Sequence, residues 1–205
     1  MKLIDITHVV NNDTPVFPGE HKIAISQQKF LDENGYNAYV VHSNMHTGTH
    51  VDMPMHLLTD SRFAEEFSLD GFIGRGLVLD VRGEDVISMR AEYETLDFEG
   101  RIVLLYTGFD ERFFDEEYFT AHPVVGEELG AFLLSKNIKM LGLDTPSPDR
   151  FPWTFHKALL EKGVFVMENA ANLGALLGVG EFEVMAFPLK VAAEASVVRA
   201  VCRVI

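Results

Sequence analysis

The sequence predicts a mixed α/β fold of the α+β kind, on three observations. The first half of the chain is rich in short strand-like segments, whereas the second half alternates helix-like and strand-like ones. Two continuous apolar runs, Ile102-Val103-Leu104-Leu105-Tyr106 and Met140-Leu141-Gly142-Leu143, have the composition of central strands covered on both faces. The 205 residues are 47% hydrophobic and include 16 phenylalanines, enough for one well-filled core. With no internal repeat, low-complexity tract or Pro/Gly/Ser-rich linker, one domain spanning 1–205 is expected.

In chain order, β-branched and aromatic content between turn residues predicts strands at Leu3 to Val10, Lys22 to Phe30, Ala38 to Met45, Leu77 to Val81 and Ile102 to Tyr106. Further strands are predicted at Lys139 to Leu143, Val164 to Met167, Glu183 to Phe187 and Val197 to Val204. A helix is predicted over Glu127 to Lys136, where Leu129, Phe132 and Leu133 recur at helical spacing. A second runs over Thr154 to Lys162, with Phe155, Leu159 and Leu160 on one side and Gly163 as its stop. A short turn is expected across Ala171 to Leu177. The loops near Pro15 to Glu20 and Asp144 to Pro152 are rich in Pro, Gly, Ser and Asp, the composition of loops that carry function on a rigid sheet.

The formal charge of −14 disfavours nucleic acid and anionic membrane surfaces as partners, because both require a Lys/Arg face. Acidic groups such as Asp115-Glu116-Glu117 read as solvated surface. No apolar stretch approaches the ~20 residues needed to span a bilayer. Asp5 and His8 interrupt the start of the chain, so no signal peptide is expected. The single cysteine, Cys202, lies in an apolar run and reads as a buried structural thiol, compatible with a reducing compartment. A soluble cytoplasmic protein acting on a small molecule is the expectation.

The segment His46-Thr47-Gly48-Thr49-His50-Val51-Asp52-Met53-Pro54-Met55-His56 carries the chemistry. Four of the eight histidines fall between His42 and His56, with an aspartate among them. Imidazole and carboxylate are ligands for Zn, Mn or Fe. A helix would put Asp52 about 200° round from His50, and Gly48 and Pro54 oppose helix. In an extended segment side chains alternate faces. His46, His50, Asp52 and His56 are all even-numbered, so an extended strand or irregular loop turns all four one way. The His-X-Gly-Thr-His-X-Asp run supplies three ligands and leaves a coordination position open, as catalytic metals require. By their own positions, His156 reads as a helix-surface residue and Glu168 as a strand-end carboxylate.

These motifs resemble those of the cyclase family of metal-dependent hydrolases, which includes bacterial kynurenine formamidases and isatin hydrolase. The resemblance runs along nearly the whole chain. It rests on Asp5-Ile6-Thr7-His8, Thr14-Pro15-Val16-Phe17-Pro18-Gly19, the His46 to His56 segment, Thr107-Gly108-Phe109 and Gly142-Leu143-Asp144-Thr145-Pro146-Ser147-Pro148-Asp149. His156 with Leu159-Leu160, Glu168-Asn169, Pro188-Leu189-Lys190 and Val198-Arg199-Ala200 complete it. It implies a swivelling β/β/α domain and a homo-oligomer, dimer or tetramer. It implies two divalent metal ions, with Zn favoured and Mn or Fe also suited. His46, His50 and Asp52 would hold one ion. Asp52, His156 and Glu168 would hold the other, with Asp52 bridging. His56 would be the proton donor and acceptor. Phe17 would stand at the aromatic wall of the substrate pocket, where kynurenine formamidases typically carry Trp. Those enzymes also typically read Thr-Gly-Trp at Thr107-Gly108-Phe109, and a more glycine-rich stretch replaces Ala193-Glu194-Ala195-Ser196.

The expected activity is hydrolysis of an aryl formamide, or of a related amide or lactam, by metal-activated water. Cyclisation or dehydration of a carbonyl substrate is the alternative reaction, and a non-catalytic metal-binding protein the alternative class. His56 separates the last, because a binding-only site has no use for a spare imidazole. Serine hydrolysis is disfavoured by the absence of a Gly-X-Ser-X-Gly elbow.

Overall fold

The computed structural model describes residues 1–205. Its strands are β1 (Lys2–Asp5), β2 (Ala24–Lys29), β3 (Ala38–His42), β4 (His50–Asp52), β5 (Ile73–Asp80), β6 (Val86–Ile87) and β7 (Ile102–Tyr106). They continue with β8 (Val124–Val125), β9 (Met140–Leu143), β10 (Phe165–Glu168), β11 (Phe182–Met185), β12 (Ala195–Val197) and β13 (Val201–Val204). The helices are α1 (Leu31–Asn34), α2 (Glu127–Ser135) and α3 (Thr154–Glu161). Nine strands form one mixed sheet in the order β1-β13-β11-β5-β7-β9-β10-β4-β12. β5, β7, β9 and β10 run parallel, and the flanking pairs are antiparallel. The mixed α/β expectation is met.

The apolar runs occupy the centre for the expected reason. Ile102, Val103, Leu104 and Leu105 are all fully buried. Ile102 and Leu104 pack in one core with Val51, Phe72 and Met167, while Val103 and Leu105 pack in a second with Leu129, Leu159 and Val166. Each such side chain stabilises the fold by about 1.5–3 kcal/mol. Helices α2 and α3 cover the second face, held by Leu129, Leu133, Leu159 and Leu160.

The predicted strand Val197 to Val204 is two strands. The Val198 amide bonds to the Thr49 carbonyl, and the Ile6 amide bonds to the Ala200 carbonyl. β12 is thus one edge of the strand order and β13 lies next to the other edge, although three residues separate them. At ~3.3–3.6 Å per residue that linker is short, so the sheet curls until its ends approach. The strand predicted from Leu3 to Val10 stops at Asp5 for a related reason. Thr7 forms an isolated bridge with Ala170, and the His8 amide turns to Thr49 Oγ1. The strand predicted at Leu77 begins earlier, at Ile73, and Ala38 to Met45 ends at His42. The two-residue strands β6 and β8 carry no sequence signal of their own.

β2 and β3 form a separate two-stranded ribbon. Tyr39, Val40 and Val41 are exposed along it, as are Phe30, Leu31 and Tyr36 at its end.

Candidate metal centre

β4 lies between β10 and β12, and that placement organises the centre. In the β10–β4 register Glu168 faces His50 and Val166 faces Asp52. Directly paired residues share a sheet face, so His50, Asp52 and Glu168 all point to the α3 side. Val51, between them, points into the opposite core. α3 then delivers His156. Asp149 Oδ2 accepts from the backbone N–H of Phe155 at 2.7 Å and of His156 at 3.5 Å, which fixes the start of that helix.

The extended-chain account of the histidine segment holds only for His50 and Asp52. His46 sits in a turn, and Gly48 adopts the left-handed region at φ +64°, which glycine reaches without a Cβ penalty. Pro54 starts a single 3-10 turn, Pro54–His56, that carries His56. The three histidines do meet at Asp52, but His46 and His56 arrive there by turns and not by alternation along a strand.

The distances define two donor groups sharing one residue. His46 Nδ1 lies 3.0 Å and His50 Nε2 3.5 Å from Asp52 Oδ1. His156 Nε2 lies 3.4 Å from Asp52 Oδ2, with Glu168 Oε1 3.6 Å from His156 Nδ1. His50 Nε2 is also 3.4 Å from Glu168 Oε2. In each group, His46-His50-Asp52 and Asp52-His156-Glu168, the donor atoms all fall within 4.8 Å of one another. His56 Nε2 stands 3.9 Å from Asp52 Oδ2.

A cation fits this arrangement. Both oxygens of the fully buried Asp52 lack a hydrogen-bond partner, as do His50 Nε2 and His156 Nε2. An ionised carboxylate buried this deeply costs several kcal/mol unless its charge is matched, and here it is ringed by imidazole nitrogens that converge on the same space without forming aligned hydrogen bonds to it. His50 is preset as a ligand: its Nδ1 donates to the Gly48 carbonyl at 2.8 Å, so Nε2 keeps its lone pair. The donors are nitrogen and oxygen only, which suits a divalent metal of borderline or hard character.

Charge within the centre is uneven. Burial alone would push Asp52 up, but His46, His50 and His56 outweigh it and hold this carboxyl well below the usual range. Burial, with the Asp52 charge beside it, lifts Glu168 to about 7. Burial opposes charge on His46, yet Asp52, Glu194 and Glu168 raise it to about 10. Burial lowers His156 to about 4 and lowers His56 as well. A bound cation would favour the deprotonated forms of His46 and Glu168, because ligands bind a metal through free lone pairs.

The centre forms the floor of a cavity of about 260 Å³. Phe17, Phe119, Trp153, Leu57 and Pro146 give it an apolar wall, and no Lys or Arg lines it. Phe17 does reach this wall, half-exposed and edge-on to Phe119 with ring centroids 5.8 Å apart. Phe109 does not; it is buried against Phe113 and Tyr118. Trp153 and Asn169 both line the cavity with left-handed φ, +56° and +53°. Asn169 is pinned by donating to the Gly48 carbonyl and accepting from Tyr118 Oη.

The putative-cyclase family model matches residues 4–150. The chain belongs to the cyclase family. Among its family relatives, the kynurenine formamidase of Salinibacter ruber is 30% identical, with 99% of this chain and 98% of that protein covered. The kynurenine formamidase of Bacillus cereus is 28% identical, over 98% of this chain and 96% of that protein. An isatin hydrolase bound to the product analogue thioisatinate superposes with a TM-score of 0.87 at 22% identity, covering 98% of this chain and 91% of that one. Isatin hydrolase A from Labrenzia aggregata, bound to benzyl benzoate, gives 0.85 at 23% identity, covering 98% and 93%. These solved structures share the fold of this cyclase-family member.

Sequence reasoning missed three features of the site. Glu194 contacts His46, Trp153 lines the cavity, and Asn169 supports Gly48. The only tryptophan in the chain, just before a predicted helix, was the one available signal for Trp153. Glu194 and Asn169 reach the site through strand pairing and a turn, which leave no trace in local pattern.

Proposed function

We propose that this cyclase-family protein is a metal-dependent hydrolase acting on a carbon–nitrogen bond other than a peptide bond, with an aryl formamide as substrate. The observation that carries the reading is the pair of donor groups joined at Asp52 beneath an aromatic cavity, with His56 beside them and outside both groups. The kynurenine formamidase relatives support the choice of a formamide.

His46, His50 and Asp52 would hold one divalent ion, and Asp52, His156 and Glu168 a second, Zn²⁺ being favoured over Mn²⁺ and Fe²⁺. When bound, such ions acidify water and polarise a carbonyl oxygen. The protein's own groups supply the rest. Phe17, Phe119 and Trp153 hold an aryl ring against the cavity wall. Asp52 and Glu168 keep the negative charge that retains the cations. His56 Nε2 takes a proton from the attacking water and delivers it to the leaving aryl nitrogen, a task suited to an imidazole with a lowered pKa. The products are formate and an arylamine. A reducing cytoplasmic setting accords with one buried cysteine, Cys202, and no helix is long and apolar enough to cross a membrane. A homo-oligomer formed through the β2–β3 ribbon would cover its exposed apolar residues.

The test is a side-by-side hydrolysis assay on N-formylkynurenine, a simple aryl formamide, isatin and an aliphatic amide, with Zn²⁺- and Mn²⁺-loaded protein. Turnover of the aryl formamides is expected. Phe17 lacks the indole N–H donor, a difference of about 0.5–1.5 kcal/mol, so weak discrimination among aryl formamides should follow. Activity confined to the aliphatic amide would overturn the formamidase reading.

A further inference from the structure

Two histidines serve the first donor group, and their outer nitrogens are held differently. His50 is buried on β4 and anchored to a neutral backbone carbonyl, that of Gly48. His46 sits on a turn, with 23% of its side chain exposed, so the backbone fixes its ring far less. Its backbone N–H donates to Asn44 Oδ1, and its ring is flanked by carboxylates at both nitrogens. Nδ1 faces Asp52 Oδ1 at 3.0 Å, and Nε2 faces Glu194 Oε1 at 3.3 Å.

Glu194 is well placed to be a fixed anchor. It immediately precedes β12, whose Ala195 pairs with Asp52 across the β12–β4 ladder. Its own carbonyl accepts from the Met53 amide at 3.1 Å, and the Ala193 carbonyl accepts from the Ala64 amide at 2.8 Å. The strand pairing that presents Asp52 to the centre thus also presents Glu194 to the far side of His46.

We propose that Glu194 is a positioning residue for the first metal, accepting the His46 Nε2–H so that the Nδ1 lone pair is aimed between His50 and Asp52. The proposal rests on the reading of His46-His50-Asp52 as a metal site. A carboxylate behind a ligand imidazole fixes its tautomer and ring orientation and raises its basicity, and losing such a partner typically costs 10- to 100-fold in metal affinity. The second donor group shares Asp52 with the first, but the Glu194 side chain meets only His46 and neither His156 nor Glu168, so second-site affinity should depend on it far less.

The experiment is Zn²⁺ titration of metal-free protein against a chromophoric chelator, for the parent, E194A and E194Q. Each is measured with all ligands intact, in a His156→Ala background that leaves only the first site, and in a His46→Ala background that leaves only the second. E194A should weaken the first site about 10- to 100-fold and affect the second far less. E194Q should fall between parent and E194A, because its amide oxygen accepts the same hydrogen bond without the charge. First-site affinity in E194A equal to the parent would overturn the assignment. So would an equal loss at both sites, which marks a general structural role. A parent that binds no Zn²⁺ removes the metal site itself, and the proposal with it. A parent that binds Zn²⁺ but hydrolyses no formamide leaves Glu194 in place and refutes only the substrate.

Discussion

His122 offers a stability prediction whose sign and size follow from its surroundings. The residue is 3% exposed, and neither ring nitrogen has a hydrogen-bond partner. Arg150 donates to its carbonyl at 2.6 Å, placing a second positive charge beside any imidazolium. Burial first, and the Arg150 charge second, lower its pKa from 6.5 to about 4, outweighing the opposing pull of the Asp149 and Phe119 backbone beside the ring. In the unfolded chain His122 takes up a proton as pH falls through 6.5, whereas in the folded protein it resists until about 4. The unfolded state therefore binds more protons across that window, and stability declines as pH drops. At about 1.4 kcal/mol per pH unit, the loss is about 2 kcal/mol by pH ~5 and about 3 kcal/mol once pH passes below the folded value. His122→Leu removes the titration and keeps an apolar side chain of similar size. Urea unfolding at pH ~7 and pH ~5, with chelator present, measures the effect. The parent should lose about 2 kcal/mol more than the variant between these conditions. Equal losses in the two proteins would show that His122 charges freely in the folded state and refute the argument. The consequence reaches the site, because Arg150 belongs to the loop in which Asp149 fixes the start of α3 and Trp153 lines the cavity.

Two further outcomes are expected. His56→Ala should retain its metal, by elemental analysis, while turnover falls about 10²- to 10⁴-fold; loss of metal would make His56 a ligand, and full activity would make it a bystander. Tyr39→Ser combined with Val41→Ser removes two exposed apolar side chains from the β2–β3 ribbon. With the ribbon as the proposed contact, light scattering should give an oligomer for the parent and a shift toward monomer for the variant; an oligomer unchanged by the substitutions, or a monomeric parent, would refute it.

The sequence carried the centre of the sheet and lost its ends. Ile102 to Tyr106 and Met140 to Leu143 announce themselves because burial on both faces leaves a continuous apolar run, and they became β7 and β9 with little adjustment. The curl of the sheet left no such mark. It follows from Val198-Arg199-Ala200 joining one edge strand to the strand next to the opposite edge, a long-range relation that local composition does not encode. β4 spans only His50–Asp52, too short for a period-two pattern to establish itself.

The site divides in the same way. Residue types in the His46 to His56 segment named the chemistry, because few functions need imidazoles and a carboxylate so close together. His156 and Glu168 each stand alone in a helix and a strand, and only the family resemblance singled them out. What parity suggested about His46, His50, Asp52 and His56 proves to be two separate facts. His50 and Asp52 share a face because β4 is extended and clamped between β10 and β12. Their side chains are almost wholly buried, so their positions are set by the sheet. His46 and His56 come in on turns shaped by Gly48 and Pro54, and their side chains keep 23% and 29% exposure toward the cavity. The strand residues are thus the fixed donors, and the turn residues are the ones open to substrate and solvent. That division accords with the proposal of His56, and not a residue on β4, as the proton carrier. It also explains why His46, the one first-group imidazole without a strand behind it, is the one with Glu194 at its outer nitrogen.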